Sequence, residues 1–243
     1  MKKYGSTVLI AALLSFAAHP ASALGTYSEG WAVIKLTKFE SRGIIFDSFE
    51  GYAEVKSFDK SEQCDKSKDE CYTPTTSTLE FSVRDDNAAV ANMMRKAVGS
   101  EMLIHFRQHR IEPIALSTDF EVLEAFGQEG SAPADMQKPL RVPKTGSRNF
   151  SVFGRFLRIE YQGTAVGTYE GLYQDQKSGK VYPFSITNEE MAQLAIKTMK
   201  YSQNFYFGIS VAIVTGVRKS DHDLFEINYK EPADSVPVTP PAQ

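Results

Sequence analysis

Two ten-residue stretches of this chain are versions of one another. Residues 42–51 align without gaps on residues 162–171, sharing Gly43 and Gly163, Ser48 and Thr168, Phe49 and Tyr169, Glu50 and Glu170, and Gly51 and Gly171. Two more anchors follow in the same order. Phe81-Ser82-Val83 matches Phe184-Ser185-Ile186, and Phe120-Glu121-Val122 matches Phe225-Glu226-Ile227. Self-similarity in register over three anchors reads as a duplicated module, which ties both halves to one plan.

Between the second and third anchors each half carries a helical pattern. Asp85 or Asp86 is placed to accept from the free backbone N–H groups, and Val90, Met93, Met94, Ala97 and Val98 recur at helical spacing before a Gly99 stop. The second half offers a capping box at Thr187 and Glu190, then Met191, Leu194, Ala195, Thr198 and Met199 at the same spacing. Methionine readily fills irregular cores, so this stripe reads as a helix packed on a barrel.

Strand signals flank both helices. In the first half they fall at 27–39, 43–57, 77–84, 101–109 and 117–126, and in the second at 149–161, 164–174, 180–186, 203–216 and 221–230, with a Lys177-Ser178-Gly179 turn. Strand, strand, strand, helix, strand, strand is the order of an OB-fold. The expected fold is mainly β with two helices, arranged as tandem five-stranded OB-like barrels: unit 1 at 24–126 and unit 2 at 149–230. Residues 127–148, with Pro133, Pro139 and Pro143, read as a linker, and 231–243 as a proline-rich disordered tail.

The N-terminus reads as a secretory signal over residues 1–23. Lys2 and Lys3 precede an apolar run from Val8 to Ala18, and Ala21-Ser22-Ala23 supplies a cleavage site. That run is well short of the ~20 residues that span a bilayer, so no membrane span is expected. The mature chain is thus expected outside the cytoplasm, in the periplasm or secreted, where Cys64 and Cys71 are free to form one disulfide. Their loop is short, worth about 2.5 kcal/mol by chain entropy.

Unit 1 also resembles a family of small, uncharacterised bacterial and phage proteins. The resemblance rests on Tyr27-Ser28-Glu29-Gly30, Lys38 through Gly43, Ser48-Phe49-Glu50-Gly51, Leu79 through Val83, Leu103 through Gln108 and Thr118-Asp119-Phe120, and covers roughly residues 26–126. Phe49 and Leu79 stand where that family tends to have tryptophan. Some members carry a sugar-phosphate dehydrogenase label, but the chain has no G-x-G-x-x-G between a strand and a helix. The resemblance implies no activity.

Residues with chemical potential point the same way. His105 and His109 on a strand lie ~13 Å apart, too far for one ion, and read as a polar outer face. Asp221-His222-Asp223 reads as a polar loop between the last two strands. No metal, cofactor or catalytic residue is expected, although Glu50 and Glu170 leave a carboxylate hydrolase as an alternative. The formal charge of -3 becomes -5 once Lys2 and Lys3 are removed, which argues against nucleic acid. The expected role is a non-enzymatic binding module of the cell envelope for a protein, peptide or glycan. A structural or assembly component, with self-association, is the other non-enzymatic reading. OB barrels bind across their second and third strands, which makes Trp31, Phe49, Tyr52, Tyr169 and Tyr173 the candidate ligand contacts.

Overall fold

A strand long enough to serve two neighbours on one edge organises each half of this molecule. The computed structural model describes residues 26–42, 48–60, 72–133, 138–146, 148–162, 167–212 and 218–230. The first unit contains β1 (Thr26–Arg42), β2 (Ser48–Lys60), β3 (Tyr72–Arg84), α1 (Ala88–Ala97), β4 (Glu101–His109) and β5 (Phe120–Gly127). A short β6 (Leu140–Arg141) precedes the second unit: β7 (Arg148–Gln162), β8 (Thr168–Asp175), β9 (Val181–Ile186), α2 (Glu189–Thr198), β10 (Phe205–Val211) and β11 (His222–Asn228).

Each set of five strands closes on itself. In the first unit β1 pairs with β2, β2 with β3, β3 with β5, β5 with β4, and β4 again with β1. The second unit repeats the ring as β7, β8, β9, β11, β10 and back to β7. The one parallel contact in each ring joins its third and fifth strands, at Ser82 and Glu121 in one and Ser185 and Asp223 in the other. The chain is a tandem of OB-like barrels, each with a helix between its third and fourth strands.

Closure leaves one end of β1 and one end of β7 unpaired on an edge. The C-terminal half of β1 pairs with β2, so its Ser28–Ala32 edge is vacant there, and Arg158–Gln162 of β7 is vacant where β10 has ended. These two edges pair antiparallel with each other, from Ser28 with Gln162 to Ala32 with Arg158. The hydrogen-bond ladder thus runs through both rings, and the seam covers edges that would otherwise be open templates for aggregation. At Gly30 an added Cβ would lie 2.4 Å from the Ile159 carbonyl oxygen, so the strands meet this closely only because residue 30 has no side chain.

Alternation sorts the residues. Ile34, Leu36, Phe81, Val83, Met102, Ile104 and Phe106 fill the first barrel, with Val90 and Met94 of α1 across one opening. Phe156, Tyr173, Phe184, Phe205 and Phe207 fill the second, with Met191 and Ala195 of α2. Val33 and Leu103, on the outer face of the first barrel, pack into the second core.

Several expectations are corrected in detail. The helix caps are Asn87 and Asn188, whose side chains accept from Val90 N–H and Met191 N–H; the Asp85 carboxylate instead accepts from Asp86 N–H. Met93 and Val98 are exposed, because the buried stripe of α1 runs through Val90, Ala91 and Met94. The third anchor is out of register. Glu121 corresponds to Asp223, since these are the residues bridged to Ser82 and Ser185, so Phe120 corresponds to His222 rather than Phe225. Within the expected linker, described residues are pinned to the second unit: Glu129 N–H donates to the Lys200 carbonyl, β6 pairs with β11, and Gly146 N–H donates to Ser210 Oγ. The signal segment, Cys64, Cys71 and the 231–243 tail lie outside the described residues.

Candidate functional site

The repeated Glu-Gly and Phe-Ser pairs form one lock, built twice. In the first barrel Glu50 and Ser82 sit opposite each other on β2 and β3, and so do Gly51 and Phe81. A Cβ on Gly51 would fall 2.1 Å from the Phe81 ring, so the glycine makes room for the aromatic inside the barrel. On the outer face, Ser48 Oγ donates to Glu50 Oε1 at 2.7 Å and Ser82 Oγ to Glu50 Oε2 at 2.8 Å. Ser117 N–H then reaches Ser82 Oγ at 3.2 Å, which docks the β4–β5 connection.

The second barrel repeats each part. Gly171 makes room for Phe184, Thr168 Oγ1 donates to Glu170 Oε1 at 2.6 Å, and Ser185 Oγ donates to Glu170 Oε2 at 2.7 Å. Lys219 N–H and Ser220 N–H close it from the β10–β11 connection, on Glu170 Oε1 and Ser185 Oγ. Both carboxylates are buried with both oxygens hydrogen-bonded. A buried carboxylate is tolerable when satisfied in this way. What this arrangement does chemically is hold two neighbouring strands and the connection before the fifth strand together.

The acids on the fifth strands diverge. Burial alone pushes the Glu121 carboxyl up, but Arg84 and His109 together bring it below its ordinary value. Burial pushes the Asp223 carboxyl up and wins, because Thr145 and Arg218 offset it only partly while Glu170 and Asp221 add negative charge. Asp223 Oδ1 has no hydrogen-bond partner. Asp223 therefore belongs to a strand and to the barrel wall, not to the polar loop expected from the sequence. His105 and His109 are half-buried and partnered, His105 with Glu29 and Glu124 and His109 with Glu121. Among the described residues no group of three or more His, Cys, Asp or Glu side chains is placed to hold a metal ion.

The five aromatic candidates separate. Tyr173 is 1% exposed and packs on Tyr182, Phe184 and Phe207, so it is core and meets no ligand; alternation turns it inward. Trp31 stacks on His105 at 4.4 Å between ring centroids and packs against the second core, which commits it to the seam. Phe49 stacks on Phe39 with the Arg95 guanidinium 4.7 Å from its centroid. Tyr169 donates to Glu189 Oε1 at 2.9 Å, and burial followed by that carboxylate pushes its hydroxyl up. Tyr52 lies under Lys38 on the outer face of β2. The structure brings none of these five together into a single surface.

Beside the seam, under the arm formed by the far ends of β2 and β3, a cleft of about 70 Å³ is lined by Lys35, Glu54, Lys56, Glu101 and Arg155. Arg155 of the second barrel holds both Glu101 oxygens at 3.0 and 3.1 Å, and Lys56 Nζ donates to Gln174 Oε1 at 3.0 Å. Burial, then the neighbouring Arg155, lowers the Lys56 ammonium. Small-molecule sites occupy roughly 300–1,000 Å³. This cleft is a seam closed by polar contacts, and binding capacity has to be sought on open faces.

Sequence reasoning missed one such face. From Met136 to Ile159 the chain has no Asp or Glu but carries Lys138, Arg141, Lys144, Arg148, Arg155 and Arg158. The first four are exposed. β6 lies on β11, and the Lys144 and Arg141 head groups stand 4.9 and 5.8 Å from the Phe225 ring centroid. On the same outer face Phe153 of β7 and Tyr206 of β10 pair at 4.8 Å, with Phe153 40% exposed. The signal available in the sequence was the run of one sign of charge, concealed by reading 127–148 as a linker and by summing charge over the whole chain.

A family model described as a domain of unknown function (DUF8785) matches residues 25–132 and 146–234. No curated protein matches the chain. Among solved structures, it is similar to the single-stranded DNA-binding protein from Thermus aquaticus in two forms. A deletion mutant is 10% identical, with a TM-score of 0.29 over 89% of this chain and 99% of that one. The wild type is 11% identical, with a TM-score of 0.28 over 91% of this chain and 97% of that one. These neighbours correct the partner expectation: the exclusion of nucleic acid, drawn from net charge, is withdrawn. No helix among the described residues is long and apolar enough to cross a membrane.

Proposed function

We propose, for a chain that belongs to the DUF8785 family of domains of unknown function, that it is an exported, non-enzymatic binding module of the cell envelope. Residues 1–23 direct its export, Cys64 and Cys71 form a disulfide, and the first barrel shares its origin with the small bacterial and phage proteins it resembles. The observation that carries this reading is the twin lock. Glu50 and Glu170 are the repeated carboxylates a hydrolase would call upon, and each spends both oxygens on hydroxyl groups of its own barrel. A general acid or base needs an oxygen within reach of a substrate proton. The partner is therefore met by the outer faces of the barrels.

The test compares the mature chain with Glu50→Gln and Glu170→Gln in parallel. Each variant is expected to lose thermal stability, because a carboxamide cannot accept from both hydroxyls, and hydrolase screens are expected to show no turnover by any of the three. Turnover by the native chain that disappears in a variant still folded by circular dichroism would overturn the proposal. In the binding arm the mature chain, immobilised, is challenged with polynucleotide and polysaccharide probes and with fractionated envelope. Retention of none of them contradicts the reading.

A further inference from the structure

We infer that the outer face of the second barrel, across β7, β10, β11 and β6, binds single-stranded nucleic acid, with bases on the Phe153–Tyr206 pair and phosphates on Lys138, Arg141 and Lys144. This rests on the proposed binding role and names the partner class.

Charge is segregated on this face. Lys138, Arg141 and Lys144 fall within seven residues that contain no acid. Arg141 pairs with Glu226 at 3.0 Å, while Lys138 and Lys144 meet no carboxylate among the described residues. The cations are also held in place rather than carried on a free tail. Leu140 and Arg141 pair with Ile227 and Glu226, Val142 N–H donates to the Phe225 carbonyl at 2.8 Å, and Gly146 N–H donates to Ser210 Oγ at 2.9 Å. Ordering entropy that a flexible basic tail would lose on binding is here lost at folding.

The aromatic groups share the face. Ser151, Gly208, Glu226 and Arg141 form one row across the four strands, and Phe153, Tyr206 and Asn228 form a neighbouring row. At a strand spacing of ~4.8 Å, β6 lies about 10 Å from β10, so a strand seated on the aromatic pair has its backbone within reach of the β6 cations. Gly208 is part of this build: a Cβ there would fall 2.5 Å from the Phe225 ring, which instead lies over the glycine beneath Lys144 and Arg141. A positive track beside exposed ring faces is the chemistry that holds single strands without regard to sequence, since every base has a stacking face and every nucleotide a phosphate. A duplex keeps its bases stacked inside and offers nothing to Phe153.

The experiment is fluorescence anisotropy with the mature chain and a labelled oligothymidylate of about 30 nucleotides, longer than the ~4–16 nucleotides an OB barrel covers. Binding is expected at low salt. Neutralising Arg141 and Lys144 together to Gln should lower the slope of log affinity against log salt by about 1.4, at ~0.7 per lost phosphate contact. Phe153→Ala should weaken binding about tenfold with the slope unchanged, since it removes stacking and no charge. Lys177→Gln, in the β8–β9 turn, should change neither. The inference is overturned by no binding at low salt, or by equal affinities across the variants. Preference for dextran sulfate with no effect of Phe153→Ala overturns the nucleic-acid assignment and leaves the binding role standing. Retention of neither polyanion nor any envelope fraction removes both.

Discussion

Glu29 takes His105 Nε2 on one carboxylate oxygen and Arg107 on the other, at 3.1 and 2.9 Å. The His105 hydrogen bond first, then Arg107, hold its carboxyl down at about 2 from an ordinary 4.5, against the opposing effect of burial. A depressed carboxylate contributes stability that is complete above about pH 4.5 and is lost as pH falls toward 2. The wild type should therefore lose melting temperature more steeply than Glu29→Gln across that window, and parallel melting curves would sink the assignment. Packing gives a second residue-scale expectation. Gly171→Ala places a methyl group 2.5 Å from the Phe184 ring and 2.6 Å from the Arg158 carbonyl oxygen, and should cost ~1–3 kcal/mol by overpacking, whereas Gly127→Ala, with nothing within 4 Å, should stay within about 0.5 kcal/mol. Denaturant melts of the two variants decide it. At this scale the sequence was informative about which residues matter and poor on why. Glu50, Gly51, Phe81 and Ser82 stood out by repetition, yet their meaning depends on pairings across strands some thirty residues apart, which periodicity does not report. Tyr173 was misplaced for a related reason: an aromatic on a strand announces its size, and only the register states which face it occupies.

The elements were legible in order because each rests on a local pattern, and less so at their ends. Both helices begin two residues after a hydroxyl or acid that also looks like a cap, and the intervening Asn87 and Asn188 take the role because their side chains reach the third N–H beyond them. Asn188→Ala should accordingly destabilise the protein by ~0.5–2 kcal/mol, while Thr187→Ala should cost little; equal losses, read from thermal melts, would restore the capping box. The third sequence anchor failed through a bulge. Both barrels shift register on the fifth strand, after Val122 and after Leu224. Similar triplets on either side of such a shift align in letters while occupying different rows. Correcting this brings Asp223 opposite Ser185 and shows that the two barrels differ most in how they stabilise this buried acid, with Arg84 and His109 in one and Arg218 and Thr145 in the other. The basic face escaped notice at the same scale, since prolines at 139 and 143 suggested a linker where the chain in fact lies along a strand.

For the whole molecule, duplication predicted two barrels but not that they would share a ladder and part of a core. Val33 and Leu103 are apolar on a face that should be wet in a free OB barrel, and they are buried because the second barrel covers them. The Arg155–Glu101 and Lys56–Gln174 contacts cross the same boundary. Two units that bury each other's apolar surface unfold together, so calorimetry on the mature chain should give a single transition whose calorimetric and van't Hoff enthalpies agree. Gly30 is the residue that tests the mechanism. An alanine there sets a methyl group 2.4 Å from the Ile159 carbonyl oxygen and 2.6 Å from the Glu160 Cα, and because the obstacle is backbone no rotamer change relieves it. The strands must separate, breaking the ladder from Ser28 to Ala32 while leaving both rings closed. Gly30→Ala should thus lower the melting temperature and divide the unfolding into two steps, with the Trp31 fluorescence change following the seam. If the variant instead melts in one sharp transition at the wild-type temperature, the barrels are coupled through the β2–β3 arm and the buried contact of Leu103, and the paired edges only cover exposed backbone.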